Sequence, residues 1–157
     1  MHVYTIRLFL LTLALLPAMA CAVQPELPAE PPEGLDVAWF HDDCAPWDGP
    51  ATTIYLGREA AETVFASPFP SLRVTLYSNR AQLDPHERLH FEIPGNDGHA
   101  VYCSTAEECE AGTSVSIEFA QPAGDELEGR LEVTFPNRPP IRGSFQAMQM
   151  PFQALCG

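Results

Sequence analysis

Glu126-Leu127-Glu128-Gly129-Arg130-Leu131-Glu132-Val133-Thr134-Phe135 is the stretch that decides the fold. Its apolar side chains and its glycine fall on alternate positions, and charged or hydroxyl side chains fill the positions between them. Strict alternation is typical of a strand with one buried face and one wet face. After the Pro-rich turn 136–140 the alternation returns over residues 141–147. The two runs therefore predict an antiparallel hairpin with a solvated Glu/Arg face.

The same period of two recurs in shorter pieces upstream, over residues 72–77, 88–93 and 114–119. Residues 37–40, 52–56 and 99–103 are further short apolar or β-branched runs, and Gly, Pro and Asp separate the pieces. Residues 58–65 fit a helix of one or two turns. The pattern predicts an all-β domain over residues 35–157, a single antiparallel β-sandwich or small barrel of about seven strands with at most one short helix.

Residues 1–20 have the form of an export signal, with Arg7 near the start and an apolar run over residues 8–16. That run is shorter than the about 20 apolar residues that span a bilayer. It ends in Ala18-Met19-Ala20-Cys21, which resembles the cleavage region of bacterial prolipoproteins. The resemblance covers residues 1–21 only, and it implies that Cys21 is acylated. Cleavage by an ordinary signal peptidase would instead leave Cys21 as a free thiol on a soluble periplasmic or secreted protein.

Residues 21–34 hold the lipidated N-terminus and a linker rich in Pro and Glu. Such a composition prefers an extended path, and it predicts a disordered tether between lipid and domain. Ala22 follows the cysteine where an Asp would hint at retention in the inner membrane. By the same resemblance, the expected location is the outer membrane of the cell envelope, on its periplasmic or surface side.

Five cysteines are present, at positions 21, 44, 103, 109 and 156. An exported protein in an oxidising compartment tends to pair its thiols, so an odd number needs an explanation. Acylation of Cys21 leaves four. Four cysteines allow three connectivities, of which we favour Cys44–Cys156 with Cys103–Cys109. The alternative is that one of these pairs stays reduced.

Acidic residues number 21 against eight basic ones, with no lysine, and the formal net charge is −13. This field would repel nucleic acid, so we predict no nucleic-acid partner. It would favour encounters with a basic protein or with divalent cations. Solubility alone is the simpler interpretation of the same charge.

His86-Glu87-Arg88-Leu89-His90 matches H-E-x-x-H, which binds zinc when it lies on a helix. Here the alternation of the residues around His90 predicts a strand. On a strand His86 and His90 would be about 13 Å apart, too far to share one metal ion. A zinc-dependent hydrolase using His86, Glu87 and His90 is therefore a minor alternative.

Three other groups of residues could form sites, and each also has a simpler interpretation. A calcium site in the acidic loop competes with a solvated loop, and its candidate residues are His41, Asp42, Asp43 and Asp48. A redox role for Cys103 and Cys109 is disfavoured because the glutamates around them would raise a thiol pKa. An aromatic binding patch competes with ordinary core packing for Trp39, Trp47, Tyr55 and Phe69.

The domain also loosely resembles small exported β proteins of Gram-negative bacteria that begin with a Cys-x-Pro loop and end in Leu-Cys-Gly. That resemblance implies no activity. We predict no catalytic residue, cofactor or metal ligand. The expected function is a non-enzymatic, lipid-anchored envelope domain that binds a basic protein or has a structural role. An inhibitor or immunity protein acting on a cell-wall hydrolase is the alternative.

Overall fold

The computed structural model describes residues 26–61, 68–79, 82–121, 124–151 and 156. These ranges contain nine strands and no α-helix. In chain order they are β1 Val37–Cys44, β2 Pro50–Gly57, β3 Ser71–Leu76, β4 Arg88–Glu92, β5 Gly98–Cys103, β6 Cys109–Ala111, β7 Ser114–Gln121, β8 Glu126–Thr134 and β9 Ile141–Gln149. The predicted all-β class is confirmed. Of the helix predicted over residues 58–65, residues 58–61 are not helical and residues 62–65 lie outside the described residues. The export signal and Cys21 also lie outside the described residues.

All nine strands form one sheet in the order β4-β7-β8-β9-β1-β2-β3-β5-β6, and it curls into a half-barrel. Neighbouring strands are antiparallel except β1 and β9, which pair in parallel and make the sheet mixed. The described residues form more strands than the roughly seven expected. One of the strands is β6, which is only three residues long. The parallel pair could not be anticipated, because alternation within a strand carries no information about a partner far along the chain.

The predicted antiparallel β8–β9 hairpin is present, with Leu131 opposite Gly143 and Val133 opposite Ile141. Inward positions of both strands are buried and outward positions are exposed or half-buried. The outward side chains of β4, β7 and β8 alternate in charge, with Glu118 between Arg88 and Arg130. The solvated Glu/Arg face is thus present, and it continues across three strands.

The inner face of the curled sheet holds one contiguous hydrophobic core to which almost every strand contributes. Its largest fully buried side chains come from both halves of the sheet, and they include Phe40, Ile54, Leu72, Phe119 and Leu131. Burying each side chain of this size contributes about 1.5–3 kcal/mol relative to its exposed state. The core therefore stabilises the curled sheet with no helix contributed by the residues that the structure describes.

Strands β6 and β7 are nearly continuous and change partner at Gly112. The Gly112 N–H donates to the Ala100 carbonyl of β5 at 2.9 Å, and the Thr113 N–H donates to the Thr134 carbonyl of β8 at 2.8 Å. A Cβ atom at Gly112 would lie 2.9 Å from a Val133 methyl group. Glycine therefore permits the close approach at which the sheet turns and curls.

Residues 26–35 lie against the sheet. Ser144 on β9 holds them, since its N–H donates to the Glu30 carbonyl at 2.8 Å and its hydroxyl donates to the Ala29 carbonyl at 2.6 Å. Leu27 and Leu35 are 5% and 4% exposed. The described part of the expected tether, residues 26–34, is thus docked and not extended into solvent. The Pro- and Glu-rich composition of this segment favours an extended path. Burial of the two leucines and hydrogen bonding to the β9 edge dock it on the sheet instead.

The four cysteines of the domain lie in the two favoured pairs. Cys44 and Cys156 have Cα atoms 5.5 Å apart, and those of Cys103 and Cys109 are 4.0 Å apart. Both separations, with Sγ atoms at bonding distance, fit disulfides. One bridge joins the end of β1 to a residue beyond β9, and the other closes the β5–β6 turn.

Candidate functional site

The outer face of strands β1, β2, β3 and β5 carries a row of polar side chains that are unexpectedly buried. The register aligns His41 with Thr53, Thr53 with Thr75, and Thr75 with His99. His41, Thr53 and Thr75 are at most 4% exposed, although their strand neighbours already fill the inner core. The sheet therefore has a second, polar layer on its outer side.

A short chain of hydrogen bonds runs through this layer. The Thr53 hydroxyl donates to Asp43 Oδ2 at 2.8 Å and shares a hydrogen bond with the Thr75 hydroxyl at 2.9 Å. The other oxygen of Asp43 accepts from the Cys44 N–H at 2.8 Å. Buried polar groups are stable when satisfied in this way. The chain fixes the Asp43 carboxylate but leaves no exposed hydroxyl that could serve as a nucleophile at Thr53.

The two imidazoles of the row are shifted towards the neutral form. Burial lowers the pKa of His41, against the opposing influence of Asp43 and Asp42. Burial and the Arg73 guanidinium lower the pKa of His99, and Asp43 again opposes. Burial also raises the pKa of the Tyr55 phenol. At neutral pH these side chains therefore act as uncharged hydrogen-bonding and packing groups.

At one end of the sheet the row opens onto an exposed aromatic group. Trp47, in the β1–β2 turn, is 54% exposed and stands edge-on to Tyr77 with ring centroids 4.9 Å apart. The Tyr77 hydroxyl shares a hydrogen bond of 3.0 Å with His99 Nδ1. Two exposed acidic residues lie close to these rings along the backbone: Asp48 directly follows Trp47, and the carbonyl of Asp97 accepts the Tyr77 N–H. We call these five residues the Trp47 surface.

Local geometry explains why Trp47 stands out from the protein. The turn closes through hydrogen bonds from the Ala45 N–H to the Gly49 carbonyl and from the Asp48 N–H to the Ala45 carbonyl. Asp48 has φ of 61°, a conformation that Asp tolerates better than most residues. A Cβ at Gly49 would lie 2.9 Å from Trp47 Nε1, so glycine leaves room for the indole.

The four aromatic residues considered for a binding patch are divided by the structure. Trp39 and Tyr55 are buried and stack in parallel, with centroids 5.6 Å apart and an interplanar angle of 3°. Trp47 and Phe69 are exposed, but Trp47 follows β1 and Phe69 precedes β3, which places them at opposite ends of the antiparallel sheet. A patch of all four residues does not exist.

The H-E-x-x-H residues lie on a turn and a strand, as the alternation predicted. His86 has φ of 64° and its N–H donates to the Phe119 carbonyl, while β4 begins two residues later. His90 contacts Ser116 Oγ at 2.8 Å and Glu92 at 3.3 Å. Within the described ranges no group of three His, Cys, Asp or Glu side chains could hold a metal ion, and this includes the acidic loop of His41, Asp42, Asp43 and Asp48.

A shallow groove of about 280 Å³ lies between the docked N-terminal residues and the outer face of β7 and β8. His86, Glu118, Glu128 and Arg130 contribute its charged lining. Arg130 pairs with Glu26 at 3.1 Å, and Glu118 pairs with Arg88 at 3.5 Å. The first ion pair connects the N-terminal residues to β8 and the second joins β4 to β7, so the groove is explained by docking of the chain on itself.

No known family model, curated protein or solved structure matches this chain. In the part of the chain that the structure describes, no helix has the length and apolar character needed to span a membrane. Inferences about function therefore depend on the residues themselves.

Proposed function

We propose that this chain is an exported, lipid-anchored, non-enzymatic binding domain, and that a basic protein of the cell envelope docks on the Trp47 surface. The observation that carries the proposal is the 54% exposure of Trp47 on a rigid turn. Trp47 packs edge-on against Tyr77, and an exposed apolar patch with polar residues at its edge is typical of a protein–protein interaction site.

The composition of the Trp47 surface matches that of protein-binding hot spots. Trp and Tyr are enriched where a few residues supply most of the binding energy, at the centre of an interface with a polar rim. Trp47 packs on Tyr77, and the hydrogen bond to His99 fixes Tyr77, so little side-chain entropy is lost on binding. Asp48 and Asp97 supply an acidic rim.

The charge of the whole chain supports a basic partner. With a net charge of −13 the protein would speed the approach of a cationic surface and repel an anionic one. A basic cell-wall hydrolase is one partner of this kind, which would make the chain an inhibitor or immunity protein. The lipid anchor is supported by cysteine parity, because the pairing of Cys44, Cys103, Cys109 and Cys156 leaves Cys21 as the odd residue.

The experiment is a pull-down from envelope extract with the immobilised full chain, followed by measurement of affinity for the retained protein. We expect a basic protein that is released by moderate salt. Trp47→Ala should weaken binding by about 30-fold, which corresponds to a hot-spot loss of about 2 kcal/mol. Phe69→Ala is the matched control, since Phe69 is exposed at the other end of the sheet and should leave the affinity unchanged.

Equal binding by wild type and Trp47→Ala would overturn the proposed surface, and retention that does not respond to salt would overturn the basic partner. Asp48→Asn with Asp97→Asn should mainly slow association.

The anchor is tested separately, by the intact mass of the protein purified from envelope membranes. We expect an N-terminal Cys21 carrying acyl chains, and a Cys21→Ser variant that is no longer membrane-bound. A bare Cys21 in the wild type would refute the anchor and leave the binding surface in place.

A further inference from the structure

Residues 26–35, which we call the docked segment, are fixed to the domain along their length. Leu27 and Leu35, near its two ends, are buried. In between, the N–H and the hydroxyl of Ser144 donate to two carbonyl groups of the segment at 2.8 and 2.6 Å. The chain that leads from Cys21 therefore meets the domain at about residue 26, well before Leu35.

The docked segment begins on the outer face of β7 and β8. Glu26 pairs with Arg130 of β8 at 3.1 Å. Ala29 lines the shallow groove together with Glu118 of β7, which lies opposite Arg130 in the register. The point at which the chain from Cys21 reaches the domain is thus defined by contacts with this outer face.

The distance between a lipid on Cys21 and this face is limited by chain length. Cys21 and Leu27 are six positions apart, and an extended chain spans at most about 3.6 Å per residue, so their separation is at most about 22 Å. A compact domain of about 120 residues is roughly 35 Å across. Leu27 therefore cannot lie on the side of the domain that faces away from the lipid. A chain that met the domain only at Leu35 could reach about 50 Å, enough to pass around it.

The charges of this side of the sheet permit a close approach to lipid headgroups. Arg88 pairs with Glu118 at 3.5 Å and Arg142 pairs with Glu132 at 3.9 Å, in addition to the pair formed by Arg130. A face with both signs of charge can meet zwitterionic headgroups, whereas the net charge of −13 would repel an anionic surface. Exposed ion pairs are individually weak, so the short tether and not the charge fixes the orientation.

We propose that the docked segment holds the lipid-anchored protein with the outer face of β7 and β8 turned towards the headgroups of its own membrane. The inference rests on the acyl anchor of the proposed function and is independent of the Trp47 surface. It requires both the docking of residues 26–35 and the short length of chain between Cys21 and Glu26. Loss of either would let the domain turn.

The test uses the full chain with its disulfides intact, purified from envelope membranes. The protein is inserted into nanodiscs of phosphatidylethanolamine and phosphatidylcholine that carry a nitroxide on some headgroups. Broadening of backbone amide signals in NMR spectra measures how close each strand comes to the label. We expect the amides of Glu118 and Arg130 to be broadened severalfold more than those of Arg73 and Thr75. The last two lie on β3, which is four strands away from β8 in the sheet.

Two variants change the tether in different ways. An insertion of about ten Gly and Ser residues after Gln24 lengthens the chain before the docked segment and leaves the domain unaltered. Gly143→Ala instead displaces the docked segment, because a Cβ atom there would lie 2.5 Å from the Glu30 carbonyl oxygen. Each variant should reduce the difference in broadening between β8 and β3 severalfold. Gln146→Ala, also on β9, is the matched control and should keep the difference.

Equal broadening of β8 and β3, or a difference that survives the insertion, would overturn the proposal. The intact mass of the same sample shows whether Cys21 carries acyl chains. A bare Cys21 would refute the anchor of the proposed function. Its thiol would then be coupled to a maleimide lipid, which imposes the same point of attachment, and the broadening would decide the orientation separately.

Discussion

The hydroxyls of Thr53 and Thr75 lie 2.9 Å apart between β2 and β3, fully enclosed on the outer side of the sheet. Through Thr53 the pair is connected to the Asp43 carboxylate at 2.8 Å. A polar layer so placed is stable only while each member is hydrogen-bonded.

Replacement of Thr53 by valine tests this layer, because valine has almost the same shape and lacks the hydroxyl. Thr75 and Asp43 would each lose a partner, and we expect the free energy of unfolding to fall by about 1–3 kcal/mol. Chemical denaturation measures the loss. The Thr53→Val/Thr75→Val double variant should lose less than the two single variants added together. Additive losses would show that the two hydroxyls do not interact.

The docking of the N-terminal residues is tested by Gly143→Ala. A Cβ at Gly143 would lie 2.5 Å from the Glu30 carbonyl oxygen and from the Pro32 nitrogen. Relief of this overlap would displace residues 29–32 from β9, with an expected loss of about 1–3 kcal/mol, as for an overpacked site. Limited proteolysis should then cut this segment faster. Gln146→Ala on the same strand is the control and should change neither quantity.

The imidazoles predict a pH dependence of stability. The folded-state pKa values of His41 and His99 are lowered, so in the pH range below about 6.5 the unfolded chain binds more protons than the folded one. Their contribution is present above about pH 6.5 and is lost as the pH falls towards the folded-state values.

Denaturation between pH 7.5 and 5.5 should show a declining free energy of unfolding, with a shallower decline in His99→Gln. A stability that stays flat over this range would contradict the role assigned to the imidazoles of His41 and His99.

The two disulfides should contribute unequally to stability. On the loop-entropy model a bridge across 112 residues contributes about 5 kcal/mol, whereas one across six residues contributes about 2 kcal/mol. Cys44→Ser/Cys156→Ser should therefore lower the denaturation midpoint much more than Cys103→Ser/Cys109→Ser. The reverse ranking would indicate that residual structure in the unfolded chain, and not loop entropy, dominates.

The sequence predicts the strands whose two faces differ in polarity. β8 and β9 are of this kind, since every inward position is apolar or glycine and nearly every outward one is polar. The sequence analysis treated Trp39 and Trp47 as members of one group, and the structure separates them. A strand position buries the first, and a turn rich in Pro and Gly exposes the second.

Other features have no local signal. Thr53 and Thr75 would appear in sequence as outward strand residues, and only the register that aligns them shows a buried pair. The docking of Leu27 and Leu35 was hidden by the prolines and glutamates around them. The strands β1 and β9 lie near opposite ends of the domain's sequence. A pattern within a short stretch of sequence therefore cannot predict that they pair.

The parallel pairing of β1 and β9 also has a kinetic consequence. Ala38 and Ala147 face one another although they are 109 residues apart in sequence, and among the described strands this pairing joins the two halves of the sheet. Contacts between residues so far apart in sequence form late and slowly during folding. Until β9 pairs with β1, the edge of β1 exposes unpaired backbone N–H and C=O groups. Strands of other molecules can hydrogen-bond to these groups. Aggregation during refolding should therefore depend strongly on concentration, even though the finished half-barrel protects that edge.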